Sequence, residues 1–230
     1  MEEKNNNILT TDLSLITSIK PTTMSIFNNF IKNASKPSNT FFGKLMLIGM
    51  NHGHQKMALW CIDNHIELSG NENILDVGCG GGQNIANFLK RTNGRVCGID
   101  YSHASVAKSL KKNEKAVLEK RTEIVHANVS AIPFENEIFD LVTAFETIYF
   151  WEDIVNNFKE VKRVLKPNGK FVVCNESSKK EGNERWTNIL DMRIYSAEEI
   201  VVSMHQAGFS DMKIYKKRKT QHICVIGKKD

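Results

Sequence analysis

The sequence predicts an α/β fold in a single domain, organised on a parallel sheet, and three observations predict it. Ile74, Leu75 and Val77 form a short apolar run without polar alternation, the signature of a strand buried on both faces. Gly78, Gly80, Gly81 and Gly82 follow at once and give way to Ile85, Ala86, Phe88 and Leu89 at helical spacing, over residues 84–90. A second apolar run, Arg95 to Ile99, then ends in Asp100. Strand, glycine-rich turn, helix and strand make a βαβ unit, and 230 residues suit one such domain with a decorated N-terminal region.

Residues 1–40 are polar, with Asn5 to Asn7 in succession, and residues 1–20 are expected to be frayed or loosely helical. Met24, Phe27, Phe30 and Ile31 have helical spacing, and Pro37, Ser38 and Asn39 mark a break. Phe41 to Met50 is strongly apolar, and Met57 to Ile66 carries Ala58, Leu59, Cys61, Ile62 and Ile66. These stretches are expected to be helices in front of the sheet, so that residues 1–70 form a lid region and residues 71–230 the core. Structural padding on the same domain is the competing reading of the lid.

Beyond Asp100, Ile124 and Val125 read as a third strand running into His126, Ala127, Asn128 and Val129. Phe139 to Phe145 reads as a central strand, and Pro133 belongs to the loop before it, where its missing donor costs nothing. Trp151 to Leu165 is an amphipathic helix with Ile154, Phe158, Val161 and Leu165 on one face. Lys166-Pro167-Asn168-Gly169-Lys170 ends it, and Phe171 to Cys174 is the fifth strand. Ser196 followed by Glu199 is a capping-box signal for a helix running to about Gln206. Met212 to Lys216 and His222 to Ile226 are the last two strands.

The glycine turn brings a ligand close to the backbone. A dinucleotide site uses GxGxxG and seats a pyrophosphate on the helix N-terminus. Here an acid, Asp76, precedes Gly78-Cys79-Gly80-Gly81-Gly82, and a carboxylate there repels a pyrophosphate. Asp76 is suited instead to orienting the turn or to meeting a cationic amino-acid group, directly or through water. Asp100, at the end of the second strand, is placed to accept hydrogen bonds from ribose hydroxyls.

These motifs together resemble the class I S-adenosylmethionine-dependent methyltransferases, in the broad type 11 branch that includes the ubiquinone and menaquinone C-methyltransferases. The resemblance covers about residues 70–230. It implies a Rossmann-like seven-stranded mixed sheet of strand order 3-2-1-4-5-7-6, flanked by helices, with an N-terminal helical lid. It implies S-adenosylmethionine as cofactor, its methionine part held by Asp76 to Gly82 and hence by Asp76, Gly78, Cys79 and Gly80. Asp100 matches the ribose-binding acid and Tyr101 the residue beside the adenine. Asn128 and Val129 match the positions that meet the adenine edge, and Ser102 and Phe145 complete the expected cofactor set. The chain departs from the family with Ala127-Asn128 in place of Gly-Asp; an Asn carbonyl can still accept from an adenine amino group. Asn168 replaces a glycine of the family's Leu-Lys-Pro-Gly-Gly. The phrase from Gly43 to His54, together with Glu146 to Trp151, resembles one branch of the family without assigned acceptors, which weakens the case for a quinone.

For the acceptor side, Glu146 follows the fourth strand at the edge where ligands bind in open α/β sheets, and is the first candidate for a substrate contact or base. Tyr149 is a further catalytic candidate and, with Trp151, an aromatic wall. His54 on the lid is a candidate base. His126 is expected to be structural, and Asn175 and Glu176 are weaker candidates on the same rim. Each retains an ordinary structural alternative. Methyl transfer by in-line displacement asks the protein mainly to align the nucleophile and exclude water, and a lid serves both.

No apolar run reaches a membrane span, and the acidic, polar start is not a secretory signal. The five cysteines, at 61, 79, 97, 174 and 224, have no CxxC spacing, so free thiols in a reducing cytoplasm and no metal site are expected. Net charge is +5, with bases grouped at Lys213, Lys216, Lys217, Arg218 and Lys219. No nucleic-acid-binding module accompanies them, and no Asn/Asp-Pro-Pro-Tyr/Phe motif follows the fourth strand. A small-molecule acceptor is therefore preferred to RNA or another nucleic acid, and a non-catalytic S-adenosylmethionine-binding module is the third reading. A monomer or homodimer is expected.

Overall fold

The computed structural model describes residues 55–179 and 192–230. The helices expected over residues 24–31 and 41–50, and His54, lie outside the described residues. The described chain begins with helix α1 (residues 55–65), then β1 (Ile74–Val77), α2 (Gln83–Leu89), β2 (Val96–Asp100), α3 (His103–Lys112), α4 (Glu114–Leu118) and β3 (Ile124–His126). It continues through β4 (Phe139–Phe145), α5 (Ile154–Val164), β5 (Leu165–Asn175), α6 (Ala197–Gln206), β6 (Phe209–Lys216) and β7 (Ile223–Lys229).

The strands form one seven-stranded sheet in the expected order, β3-β2-β1-β4-β5-β7-β6. β1 to β5 are parallel, while β7 runs antiparallel to both β5 and β6. Parallel neighbours need long crossovers, which the helices supply, whereas the short connection between β6 and β7 makes a hairpin. Both faces are covered, which is why the central strands lack alternation. On one face Leu75, Val77, Val142, Phe171 and Val173 pack with Phe158 and Val161 of α5 and with α6. On the other, Ile74, Leu141, Phe145 and Val172 meet Ile85 and Phe88 of α2 and Met57, Cys61 and Ile62 of α1. Phe158 is fully buried, with its ring edge-on to Phe171 at 5.0 Å, and truncating such a side chain to alanine costs about 3–5 kcal/mol.

Several boundaries differ from the sequence expectation: β6 starts earlier, at Phe209, and β7 runs on to Lys229, while two further differences flank β4 and β5. α5 starts at Ile154 and not at Trp151, because Asp153 takes the N-cap position and accepts from Asn156 N–H at 3.1 Å. Trp151 instead ends a 3₁₀ turn over Ile148–Phe150 and packs edge-on to Phe158. β5 starts at Leu165, which pairs with Phe139, and the register jumps so that Lys170 pairs with Leu141. The residues between form a bulge that Asn168 turns in the left-handed conformation at φ 66°. The capping box of Ser196 and Glu199 is formed as expected. Among the described residues no helix is long and apolar enough to cross a membrane.

Candidate functional site

A cavity of about 460 Å³ opens at the C-terminal ends of β1, β2 and β4. Its floor is the turn after β1. Gly78 and Cys79 donate to Ile99 O at 2.8 and 3.0 Å, which ties the turn to β2. Gly78 has φ 73°, and a Cβ there would collide with the Thr147 side chain, so both conformation and space demand glycine. Gly80, at φ 52°, faces open space on the cavity side.

Asp100 is buried at the end of β2. Its two carboxylate oxygens accept from Gly80 N–H and Ser102 N–H, both at 2.9 Å. An ionised carboxylate has about four acceptor sites, so acceptor capacity remains for a ribose diol in the cavity it lines. Burial raises its pKa, opposed by those backbone bonds. Ser102 does not line the cavity; its hydroxyl caps α3 by accepting from Ser105 N–H.

Asp76 also stands behind the cavity and not in its lining. It is 1% exposed, lies between Gly98 and Thr143 in the sheet register, and accepts from Thr143 Oγ1 at 2.8 Å. Burial, with Asp100 nearby, pushes its pKa up to about 7. The geometry favours the turn-orienting role over direct contact with a cationic ligand group.

Tyr101, Asn128 and Val129 line the adjoining wall, with Cys79 below. Asn128 Oδ1 accepts from Ser130 N–H at 2.9 Å, which fixes the carbonyl's orientation and leaves it a second lone pair. His126 lies outside the lining; its Nε2 is 2.9 Å from Tyr101 O, and its ring stacks on His103 at 3.5 Å. That placement supports the Tyr101 backbone.

On the other side, Phe145, Glu146 and Thr147 line the cavity as β4 ends. Glu146 adopts φ 61°, an uncommon left-handed conformation for a residue other than glycine. Its Oε1 accepts from Glu176 N–H and lies 3.2 Å from Tyr149 Oη. Burial pushes its pKa up to about 8. Tyr149 is buried and absent from the lining; it accepts from Ser177 N–H at 3.1 Å, and burial and Glu146 raise its pKa. Tyr149 therefore reaches the cavity only through Glu146.

The lining also contains residues that the sequence reading did not single out. Gln83 and Asn84 present the first turn of α2, Ser105 comes from α3, and Gln55 from the start of α1. Asp153 and Asn157 extend the wall along α5, and Asp153 could have been found by its capping position. The described residues include no group of three or more His, Cys, Asp or Glu set to hold a metal.

A glycine turn open to the cavity, a buried carboxylate at its edge and a facing wall with a fixed carbonyl fit a nucleoside-bearing cofactor. Comparison with known proteins identifies which one. Residues 75–173 match the family described as methyltransferase domain. These residues carry a methyltransferase domain of the S-adenosylmethionine-dependent kind. The chain is 25% identical over 179 residues to the uncharacterized methyltransferase YdaC of Bacillus subtilis, covering 76% of this chain and 93% of that protein. It is 34% identical over 116 residues to the demethylmenaquinone methyltransferase of Bacillus cytotoxicus, covering 49% of this chain and 48% of the relative. Of several other curated relatives, the sterol methyltransferases among them, the chain spans between about a third and a half of the length. Geranyl diphosphate C-methyltransferase from Streptomyces coelicolor, solved with S-adenosyl-L-homocysteine, shares the fold with a TM-score of 0.66 at 15% identity, over 86% of this chain and 87% of that one. The methyltransferase cofactor is S-adenosylmethionine.

Proposed function

We propose that the protein transfers the methyl group of S-adenosylmethionine to a small organic acceptor that is neutral or cationic, with Glu146 as the acceptor-side base. The observation that carries this reading is the charge of the cavity. Asp100, Glu146, Glu152 and Asp153 line it, and no Lys, Arg or His appears among its described lining residues, although the whole chain is +5. A polyanion would meet carboxylates there at short range. The basic run from Lys213 to Lys219 sits instead around the β6–β7 hairpin, where Lys216 pairs with Glu198 at 2.8 Å and Lys217 lies over Trp60. The names of relatives that act on demethylmenaquinone and on sterols favour an acceptor of low polarity.

Bound S-adenosylmethionine supplies a methyl group made electrophilic by a positively charged sulfur. In this reading Asp76 and Gly78 hold the turn, Asp100 takes the ribose, and Asn128 and Val129 meet the adenine edge. Glu146 takes the acceptor's proton when it arrives protonated, and Tyr149 positions Glu146. Gln55 of α1 contributes to the described wall from the N-terminal side. Transfer of labelled methyl from S-adenosylmethionine to matched neutral, amine and carboxylate acceptors, and to RNA, tests the assignment. Labelling of neutral or amine members that falls with Glu146→Gln supports it, and labelling confined to carboxylates or RNA contradicts it.

A further inference from the structure

α1 crosses the face of the sheet at β5 and β7, and the seam between them is built of sulfur. Met57 and Cys61 come from α1, Cys174 from β5 and Cys224 from β7, and each is 0% exposed. Cys61 Sγ lies 3.1 Å from Cys224 Sγ, and Cys174 Sγ lies 2.8 Å from Met57 Sδ. Cys174 and Cys224 are directly opposed in the β5–β7 register. We propose that Cys61 and Cys224 are a redox pair that closes to a disulfide under hydrogen peroxide and so fastens α1 to β7.

The geometry leaves little to move. A disulfide bond is about 2.05 Å long, so the two sulfurs must approach by about 1 Å, within reach of small side-chain rotations. The third thiol sets the roles. Cys224 touches Cys61 and opposes Cys174, and hydrogen bonds from Cys174 and Cys61 lower its pKa against the effect of burial, while burial holds Cys174 well above the usual thiol range. Cys224 is therefore the attacking thiolate. It takes one oxygen of hydrogen peroxide as the O–O bond breaks, becoming a sulfenic acid. The departing hydroxide takes the Cys61 proton and leaves as water. The Cys61 sulfur then attacks Cys224, the S–O bond breaks, and the second hydroxide is protonated by the proton Cys224 first released. Two thiols lose two electrons in all, and one peroxide becomes two waters. Peroxide is small enough to reach the seam through local opening of α1.

The bond would join residues 163 apart in sequence and fix the helix whose first described residue, Gln55, lines the cavity. The test needs no acceptor. Reduced protein is treated with hydrogen peroxide, alkylated, digested and analysed by mass spectrometry, with thermal melting in parallel. A linked Cys61–Cys224 peptide is expected, with melting raised by roughly 10 °C on the chain-entropy scale and restored by dithiothreitol. Cys97→Ala keeps both signals, and Cys61→Ala loses both. Five alkylatable cysteines after peroxide and unfolding, a link through a different pair, or oxidation of Cys224 to sulfinic acid without a link would each overturn the proposal.

Discussion

Replacing Asp76 by asparagine tests whether the acid of the glycine turn acts from behind the cavity as a buried, titrating group. Burial raises its pKa from 3.8 to about 7. A carboxyl whose folded pKa lies above its unfolded one binds its proton more tightly in the folded state. Its favourable contribution is complete below pH 3.8 and is lost as pH rises toward 7, so ionisation progressively destabilises the fold. Between pH 5 and pH 8 the loss amounts to about 2–3 kcal/mol, at about 1.4 kcal/mol per pKa unit. Asp76→Asn keeps an acceptor for the Thr143 hydroxyl but cannot ionise, so its curve lacks this component. Its absolute stability also carries the cost of placing the new amide donors, of order 1–3 kcal/mol if they are unpaired. That cost does not change with pH. The difference between variant and wild type, read from urea melts of cofactor-free protein, should therefore shift by about 2–3 kcal/mol in favour of Asp76→Asn from pH 5 to pH 8. Other groups, Glu146 among them, titrate in both proteins and cancel. Parallel curves across that range would refute the burial argument, and with it the turn-orienting role.

Other perturbations follow from the same geometry. Gly78→Ala places a side chain at φ 73° and into Thr147, and is expected to destabilise by about 2–4 kcal/mol, combining left-handed strain with overpacking. Adding Thr147→Ala should recover the overpacking share only, and a single mutant melting like wild type would contradict this account. With an acceptor found by screening, the rate should rise with pH to a plateau above about 8, because Glu146 acts when ionised. Glu146→Gln should lower the rate about 10²–10⁴-fold and flatten the profile while leaving cofactor affinity within a few-fold of wild type. A variant that keeps the pH rise would remove Glu146 as the base.

The sheet was legible because its central strands are buried on both faces, so Ile74 to Val77 and Phe139 to Phe145 appear as mostly apolar runs without alternation. The glycine turn and Asp100 were legible for a related reason: close backbone approach and a strand-ending acid leave local marks in sequence. The helix after β4 was misplaced at its start because Trp151 continues the apolar pattern, while Asp153 carries the cap that decides the boundary. Lys166 to Lys170 read as loop because Pro, Asn and Gly dominate it, yet a bulge lets β5 pair from Leu165 onward. The division of labour within the site was less visible. Asp76 and Tyr149 carry the right chemistry but point behind the cavity wall, and the side of a strand end that a residue faces depends on register. Gln83, Asn84, Ser105 and Asn157 converge from three helices. Nothing in the local pattern distinguishes them from polar surface residues. The sulfur seam joins Cys61 to Cys224 across nearly the whole domain, and spacing alone had suggested only separate free thiols.

The central claim is a cofactor site built on the glycine turn and Asp100. Calorimetric titration with S-adenosylmethionine and S-adenosylhomocysteine, with NAD as control, tests it most directly. Both methyl-cycle ligands should bind and NAD should not. Asp100→Ala should weaken binding at least about tenfold, since each hydrogen bond to a charged acceptor is worth about 1.5–3 kcal/mol. A folded protein that binds neither ligand, or an Asp100→Ala variant that binds as wild type does, would contradict the account.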